Sequence, residues 1–416
     1  MVDWFGRRKR RRPTLTYVSP GAFLEESARD RETVSGAPTA VVAFIGSTQI
    51  GPFDAPTPLT SWVEFESTFG NFSEDSYLAH AVYGFFENGG GVCYVVRVGA
   101  GRADSAGDQR VVQTASNLGP ADFIGSADVG TGLASLEVIE VVTMICAPDL
   151  MMAYQRGWID LDGILLVQRA IIEHCERNGN RIAILDPPPD LDAEQILRWR
   201  VDTAMYDSSF ATLHWPWIKV DMRCDAPTSK MSFIPPSGHI AGIWTRCDAE
   251  RGVWKAPANQ LVRGALALET TITGDDQVLL KPVGINCIRA FGTRGILVWG
   301  ARTLSSESTW RYINVRRLIN YLAQSIADGT NWMVSEPDDP AVMEKAREQV
   351  ERFLVGVWRN GALFGTTSDE AFSVTCNDSS HDSSENAARS FTFDIAVAAV
   401  PAEFIRFRVA QALPVP

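Results

Sequence analysis

Cysteine is sparse in this sequence, and no two cysteines are spaced as a pair. Seven occur among 416 residues, always singly and without a C-x-x-C motif. An odd number of scattered cysteines implies neither a disulfide framework nor a zinc knuckle, so we interpret them as reduced and mostly buried. Long apolar runs are also missing: none reaches the roughly 18 to 20 residues that span a bilayer. These absences predict a protein that is made and folded in the cytoplasm and has no direct membrane contact.

Charge is distributed unevenly along the chain. Residues 1–12 hold six arginines and lysines against one aspartate, a local charge of +5. Because the whole chain carries −12, the remainder carries −17. An acidic body of this size argues against nucleic acid as the main partner. The basic run 7–12 has several interpretations: an arm for nucleic acid or membrane, an arm for an acidic surface on a copy of the same protein, or a solvated tail.

Histidine is scarce as well, with five in the chain, which limits acid-base and metal chemistry. His174 and Cys175 are adjacent in a predicted helix, where their side chains point about 100° apart, so a shared metal or a Cys/His dyad is disfavoured. The pairs Asp275-Asp276 and Asp338-Asp339 lack the ligand spacing of a calcium loop and fit turns or helix caps. The run "ENGGGVC" has neither dinucleotide-loop spacing nor a phosphate-loop lysine, which favours a turn.

Five polar residues near predicted strand ends outline one enzyme hypothesis. They are His214, Asp149, Asp186, and Ser208 or Ser209. Such positions lie at the carboxyl edge of a parallel sheet, where these folds bind ligands. No G-x-S-x-G elbow accompanies them. We therefore predict no catalytic, cofactor-binding or metal residues and no cofactor, and keep an α/β hydrolase-like enzyme and a monomeric binding module as alternatives.

Strand and helix patterns alternate through the middle of the chain. Buried-strand runs occupy 141–148, 181–188 and 210–220, and amphipathic helix patterns occupy 163–179, 192–204 and 236–252. Short connections in this order indicate a parallel sheet covered by helices on both faces. From about residue 275 the rhythm changes to paired strands (284–304) followed by two long helices. The prediction is an α/β domain followed by an α+β region.

The two long helices are predicted at 310–327 and 340–358. The first has an apolar face and ends at Asp328-Gly329. On the second, Lys345, Arg352 and Arg359 are spaced by seven residues, almost two full turns, and so form one stripe. This stripe is either a binding surface for a partner or a solvated face paired with Glu344, Glu348 and Glu351.

Both termini carry short strand patterns. Near the start, "TLTYVSPG" places Leu15, Tyr17 and Val18 before a Pro-Gly turn signal. At the end, Ile405, Phe407 and Val409 alternate with arginines, the pattern of a half-buried strand. A terminal strand either closes the sheet of its own chain or is offered to another molecule.

Six stretches carry a family resemblance: "YVSPGAFLEE", "TAVVAFIGST", "PPSGHIAGIWTRCDAERGVWKAPAN", "GILVWGARTLSSESTWRYINVRRLINYLAQSI" and "GALFGTTSDEAFSVTC" with "PAEFIRF". They resemble the tail sheath subunits of contractile phage tails, R-type bacteriocins and related injection systems. The resemblance covers nearly the whole chain in order. It implies a division into an N-terminal arm (1–24), an outer subtilisin-like α/β region (25–275), a conserved inner domain (276–402) and a C-terminal strand arm (403–416).

The resemblance also implies a function. A sheath subunit polymerises helically around an inner tube and drives tube ejection by changing from an extended to a contracted lattice. Its arms add strands to neighbouring copies, which assigns Leu15, Tyr17, Val18, Ile405, Phe407 and Val409 to exchange. The stripe Lys345, Arg352 and Arg359 would attach the tube. The implied partners are further copies, the inner tube protein, and baseplate and terminal cap proteins, assembled in the bacterial cytoplasm as part of a virion or tail-like particle, with no nucleic acid.

Overall fold

The computed structural model describes residues 33–99, 117–221, 232–335, 340–378, 390–401 and 403–412. The arm residues Leu15, Tyr17 and Val18, the basic run 7–12 and most of the serine-rich sequence 377–390 lie outside these ranges. The described strands, in chain order β1 to β15, are Val41–Gly46, Thr57–Leu59, Val92–Arg97, Met144–Cys146, Ile182–Leu185, Ala211–Trp215, Ile218–Val220, Ser232–Ile234, Gln260–Leu261, Ala267–Leu268, Ile285–Phe291, Gly295–Val298, Phe372–Asp378, Ser390–Val400 and Glu403–Ala412.

The described α-helices, α1 to α11, are Trp62–Phe69, Leu78–Glu87, Pro120–Ile124, Asp149–Gln155, Leu161–Asn178, Ala193–Arg198, Ser237–Arg251, Gly274–Leu280, Ile313–Thr330, Pro340–Arg359 and Ser368–Ala371. A π-helical turn, Trp199–Ala204, continues α6. Gly179 ends α5 in the left-handed region (φ 70°), as the sequence predicts. No helix in the described part of the chain has the length and hydropathy needed to cross a membrane.

The largest sheet has nine strands in the order β2-β3-β1-β4-β5-β6-β11-β12-β9. Its six central strands, from β3 to β11, are parallel, and antiparallel strands flank them on both sides. All residues of β4 and β5 are buried, so helices cover both faces of the sheet. This confirms the predicted α/β fold. Strand β3 pairs with one side of β1, and β4 pairs with the other side. The strand order therefore reverses between β1 and β4, which makes this position the switch point of the sheet.

The structure corrects one predicted strand. The run 210–220 forms two strands, because β6 lies in the nine-stranded sheet whereas β7 pairs with β8 and β10 in a separate three-stranded sheet. Hydrophobicity continues across Trp215–Ile218, so a buried run alone does not reveal the change of sheet.

The predicted division at residue 275 is placed too early. Strand β11 joins β6 in parallel, and β12 joins β11, so residues 285–298 complete the large sheet. Their side chains belong to the first hydrophobic core, which extends to Ile313, and the second core takes its α9 residues from Val315 onward. The hairpin β11-β12 resembles the start of a new domain in sequence because its pairing with β6 spans about 70 positions and leaves no local signal.

The second core lies between α9, α10 and a three-stranded antiparallel sheet, β13-β14-β15. The predicted face of α9 is confirmed: Ile313, Leu318, Ile319, Leu322 and Ile326 are buried. The helix runs through Gly329, where the sequence predicts its end. A Cβ at Gly329 would lie 2.7 Å from the Cα of Val34, so this helical glycine permits close packing of the N-terminal segment.

Candidate assembly surfaces

The strand-end carboxylates of the enzyme hypothesis lie where predicted, but they hold helices in place. Asp149 is fully buried at the switch point and accepts hydrogen bonds from the backbone N–H groups of Ser47, Tyr77 and Leu78 (2.5–3.0 Å) and from the Ser76 hydroxyl (2.8 Å). Burial raises the pKa of Asp149 to about 6, and these hydrogen bonds oppose the rise. A carboxylate at the start of α2 stabilises its unpaired N–H groups.

Asp186 binds the N-terminal end of α7 as Asp149 binds that of α2. Its two oxygens accept the backbone N–H and the hydroxyl of Ser237 at 3.0 and 2.5 Å, at the first residue of the helix. Burial raises the pKa of Asp186 to about 7. Neither of these bonds involves a histidine, so Asp186 and Ser237 do not form a serine-histidine-aspartate relay.

The other members of the hypothetical site point elsewhere. Ser208 donates to Glu176 at 2.5 Å, and both ring nitrogens of the buried His214 lack a partner among the described residues. Burial lowers the pKa of His214 to about 3, which keeps its ring neutral. The structure does not bring His214 and Ser208 together as base and nucleophile.

The remaining candidate pairs have structural contacts. His174 lies 3.0 Å from Glu137 through Nδ1, whereas Cys175 is buried separately. Thr273 is the N-cap of α8, and Asp276 completes the capping box by accepting from the Thr273 backbone N–H and hydroxyl. Within the described ranges, no group of three or more His, Cys, Asp or Glu residues is placed to hold a metal ion.

The C-terminal strand β15 is the most informative surface element. It pairs antiparallel with β14 over most of its length, in register from Ser390↔Ala412 to Val397↔Ile405, with a break between Val397 and Val400. Ile405 and Val409 are buried in the second core, and Phe407 packs against it. The Gln411 amide donates to Ala327 O at 2.7 Å and to Thr330 Oγ1 at 2.9 Å, which ties the strand to α9.

These contacts bear on the two alternatives for a terminal strand. In the single chain β15 closes the sheet of its own subunit. The alternation of Ile405, Phe407 and Val409 predicts a strand correctly, but it does not specify which molecule supplies β14. Exchange of β15 between copies remains a prediction.

Helix α10 presents the predicted cationic stripe. Lys345, Arg352 and Arg359 are exposed along it, while Ala346, Val350, Leu354 and Val357 are buried in the second core. The Lys345 ammonium lies 5.0 Å above the ring of Trp332. Arg347, which the spacing of the stripe does not single out, pairs with both Glu344 and Glu351. Two of the three glutamates expected to neutralise the stripe are therefore engaged by a different arginine.

Two family models match adjacent parts of this chain. The model described as the phage tail sheath protein central domain matches residues 165–304, and the model of the phage tail sheath C-terminal domain matches residues 305–412. Their junction lies close to the end of the first hydrophobic core at Ile313.

Individual relatives agree with the family models. The chain is 26% identical to a tail sheath protein of Salmonella phage ViI over 48% of this chain and 33% of that protein. It is also 26% identical to a putative prophage major tail sheath protein of Pseudomonas aeruginosa strain UCBPP-PA14, over 55% and 57% of the two chains. The matches thus span about a third and somewhat over half of these relatives' lengths.

The fold agrees with a solved sheath. The structure of an extracellular contractile injection system, the PVC sheath complex in its contracted state, matches with a TM-score of 0.65 and 25% identity over 96% of both chains. The likeness therefore includes the α/β domain and the C-terminal sheet together.

Proposed function

The chain belongs to the phage tail sheath protein family, and from this premise we propose that it is a structural subunit of a contractile sheath. The observation that carries the proposal is the unbroken match of both sheath domain models from residue 165 to residue 412. The subunit polymerises with its own copies into a helical or ring-shaped sheath around an inner tube. Baseplate and terminal cap proteins bind the ends of this polymer, which is assembled in the bacterial cytoplasm as part of a virion or tail-like particle. Neither nucleic acid nor a membrane is a direct partner, and the subunit is not an enzyme.

The sheath performs work by changing lattice. Subunits assemble into a metastable extended packing and later reach a more stable contracted packing, so each contributes the difference in interface free energy between the two. If this difference is about a few kcal/mol per subunit, the free energy released by the whole polymer is that value times the number of subunits. The contracted state of the similar PVC sheath supports this two-state view.

Strand exchange keeps the polymer connected during the change. The β15 strand of one copy replaces the β15 strand of a neighbour, in the register that the single chain already shows. Each backbone hydrogen bond contributes roughly 1 kcal/mol net, so a strand of this length binds firmly. The connection from β14 to β15 is short and contains Pro401, and short hinge segments favour exchange of the element that follows them. The N-terminal strand pattern at Leu15, Tyr17 and Val18 is the second exchanged strand.

The stripe Lys345, Arg352 and Arg359 attaches the sheath to the inner tube. Exposed ion pairs contribute only about 0.2–1 kcal/mol each, which suits a contact that must release during contraction. The support is the exposure of all three cations on one side of α10 and the pairing of Glu344 and Glu351 with Arg347.

Negative-stain electron microscopy of the purified protein tests the sheath proposal. We expect tubes or stacked rings with a hollow centre, which a sizing column detects as material far larger than a 45.6 kDa chain. A protein that stays monomeric at high concentration, alone and with its tube protein, would instead favour a monomeric binding module.

A further inference from the structure

Arg316 occupies a position that the sheath proposal does not explain. It is the fourth residue of α9, and only 9% of its surface is exposed. Its guanidinium lies between two aromatic rings, 4.1 Å from the centroid of Trp310 and 4.5 Å from that of Phe210. The two rings withdraw a cation from water and hold its plane in one orientation.

Most of the hydrogen-bonding capacity of this guanidinium is unused. Its Nε donates to Asn320 Oδ1 at 2.8 Å. In the described part of the chain, neither terminal nitrogen has an acceptor, and no carboxylate forms an ion pair with Arg316. Burial lowers the pKa of Arg316 to about 10, so the group stays charged at neutral pH. The four N–H donors on the terminal nitrogens are bound by no described residue and are not sealed from solvent, so an acceptor that enters the depression can replace water on them.

Arg316 lines an open depression of about 430 Å³. Glu176, Asp207 and Glu307 also line it. Glu176 accepts from the Ser208 hydroxyl, and Asp207 accepts the backbone N–H and hydroxyl of Ser306 at 2.8 and 2.6 Å. The depression therefore has one deep positive centre surrounded by carboxylates.

We propose that this depression receives one carboxylate from a second copy of the chain, bound by the terminal nitrogens of Arg316. A planar guanidinium binds a carboxylate through two parallel hydrogen bonds, and two unused terminal nitrogens provide that geometry. This inference rests on the proposed sheath function, since it requires copies to pack against one another.

The charge pattern favours a protein-borne carboxylate over a free anion. Three carboxylates line the depression beside the guanidinium and repel any incoming anion, but they repel less an anion that arrives together with basic groups. A protein surface can place a carboxylate at the centre and basic side chains opposite Glu307 and its neighbours. The chain carries 50 acidic and 38 basic residues, so a second copy supplies both signs.

A zero-length crosslink identifies the incoming group. The variant Arg316→Lys places an amine at the centre, and a carbodiimide joins an amine to a carboxylate in contact with it, forming an amide and releasing a urea. Assembled protein is prepared from a 1:1 mixture of ¹⁴N- and ¹⁵N-labelled chains, crosslinked and analysed by mass spectrometry. We expect mixed-isotope peptides that link the introduced lysine to an aspartate or glutamate of another chain. Links only to Glu176, Asp207 or Glu307 of the same chain, or no link, would overturn the proposal.

Two substitutions by uncharged glutamine show whether the depression binds a carboxylate or a cation. Arg316→Gln is expected to raise the protein concentration needed for assembly about tenfold, equivalent to about 1.4 kcal/mol. Glu307→Gln is expected to leave it unchanged or lower it. Arg198→Gln, at an exposed ion pair with Glu194, is the control. Melting curves check that each variant is folded.

The outcomes distinguish this proposal from the sheath proposal. If the wild-type chain assembles and Arg316→Gln assembles equally well, only the role of Arg316 is contradicted. If Glu307→Gln alone impairs assembly, the depression binds a cation and the proposal is wrong. If the wild-type chain never assembles, the sheath proposal fails, and this inference fails with it.

Discussion

Arg317 and Asp248 form a buried, bidentate ion pair that joins the two hydrophobic cores. Nη1 lies 2.9 Å from Oδ1 and Nη2 lies 2.6 Å from Oδ2, and both side chains are at most 5% exposed. Arg317 belongs to α9 and Asp248 to α7. The same guanidinium donates to Thr39 O at 2.9 Å, just before β1, so one side chain connects three parts of the chain.

We predict that Asp248→Ala lowers the free energy of unfolding by about 3–5 kcal/mol, because it leaves a buried guanidinium without its counter-ion. Urea denaturation measures the change. The double variant Arg317→Met/Asp248→Leu removes both charges and is expected to recover most of the loss. Equal destabilisation by the single and double variants would show that the pair is not coupled.

The buried Asp186 predicts a pH dependence of stability. Its pKa in the folded protein is about 7, above the usual value of 3.8. Its contribution to the free energy of unfolding is therefore fully present below pH 3.8 and is lost as the pH rises through about 7. The pKa of Asp149 is also raised, to about 6, so this residue adds to the loss of stability as the pH rises. We expect Asp186→Asn to reduce the loss of unfolding free energy between pH 5 and pH 8, where one such group changes it by at most about 1.4 kcal/mol per pH unit.

The matched control for Asp186 is Asp276→Asn. Hydrogen bonds from Thr273 lower the pKa of Asp276, so its contribution is complete above pH 4 and is lost only at more acidic pH. Its substitution is expected to leave the slope between pH 5 and 8 unchanged. An unchanged slope in Asp186→Asn, measured by denaturation at several pH values, would contradict the assignment.

The stripe on α10 predicts a loss of tube attachment without loss of sheath assembly. The triple variant Lys345→Gln, Arg352→Gln and Arg359→Gln removes the three cations of the proposed tube contact. If each forms one exposed ion pair, tube affinity is expected to fall about 3- to 150-fold. Binding is measured by co-sedimentation with the tube protein of the same particle, at low and high salt, because screening weakens exposed pairs.

Arg347→Gln is the control for the stripe. Arg347 is paired within its own helix to Glu344 and Glu351, so its loss affects helix stability more than tube binding. Equal tube affinity in the triple variant and the wild-type chain would show that the stripe is a solvated face.

The sequence predicts elements that depend on local pattern and fails where distant residues decide. The face of α9 and the exposure of Lys345, Arg352 and Arg359 follow from helical spacing alone. The end of α5 follows from the tolerance of Gly179 for a left-handed backbone. The role of Asp149 does not, because its acceptor oxygens meet N–H groups more than 70 positions away. Likewise, the alternation at Ile405 and Val409 predicts a strand, whereas its pairing in the same chain follows from β14 and α9 together.

Arg316 shows the same limit. In sequence it is one arginine among several in "STWRYINVRRL", and spacing gives no reason to single it out. The space between the two rings that holds its guanidinium forms only when Phe210, the residue before β6, comes near Trp310, which is 100 positions later in the chain.

Exchange of the C-terminal strand is the central claim, and a cysteine pair across β14 and β15 tests it most directly. Thr392 and Ala410 lie opposite each other on the outer side of the sheet. The double variant Thr392→Cys/Ala410→Cys is made in a background in which Cys224 and Cys376 are replaced by serine, and it is oxidised before and after assembly. Single-cysteine variants are the control for chance pairing.

On a non-reducing gel, protein oxidised as a monomer should run as single chains with an internal disulfide. Protein oxidised after assembly should give a ladder of covalently joined chains, because β15 then lies on the β14 of a neighbour. Only single-chain bands from a sample that microscopy shows to be tubular would contradict strand exchange.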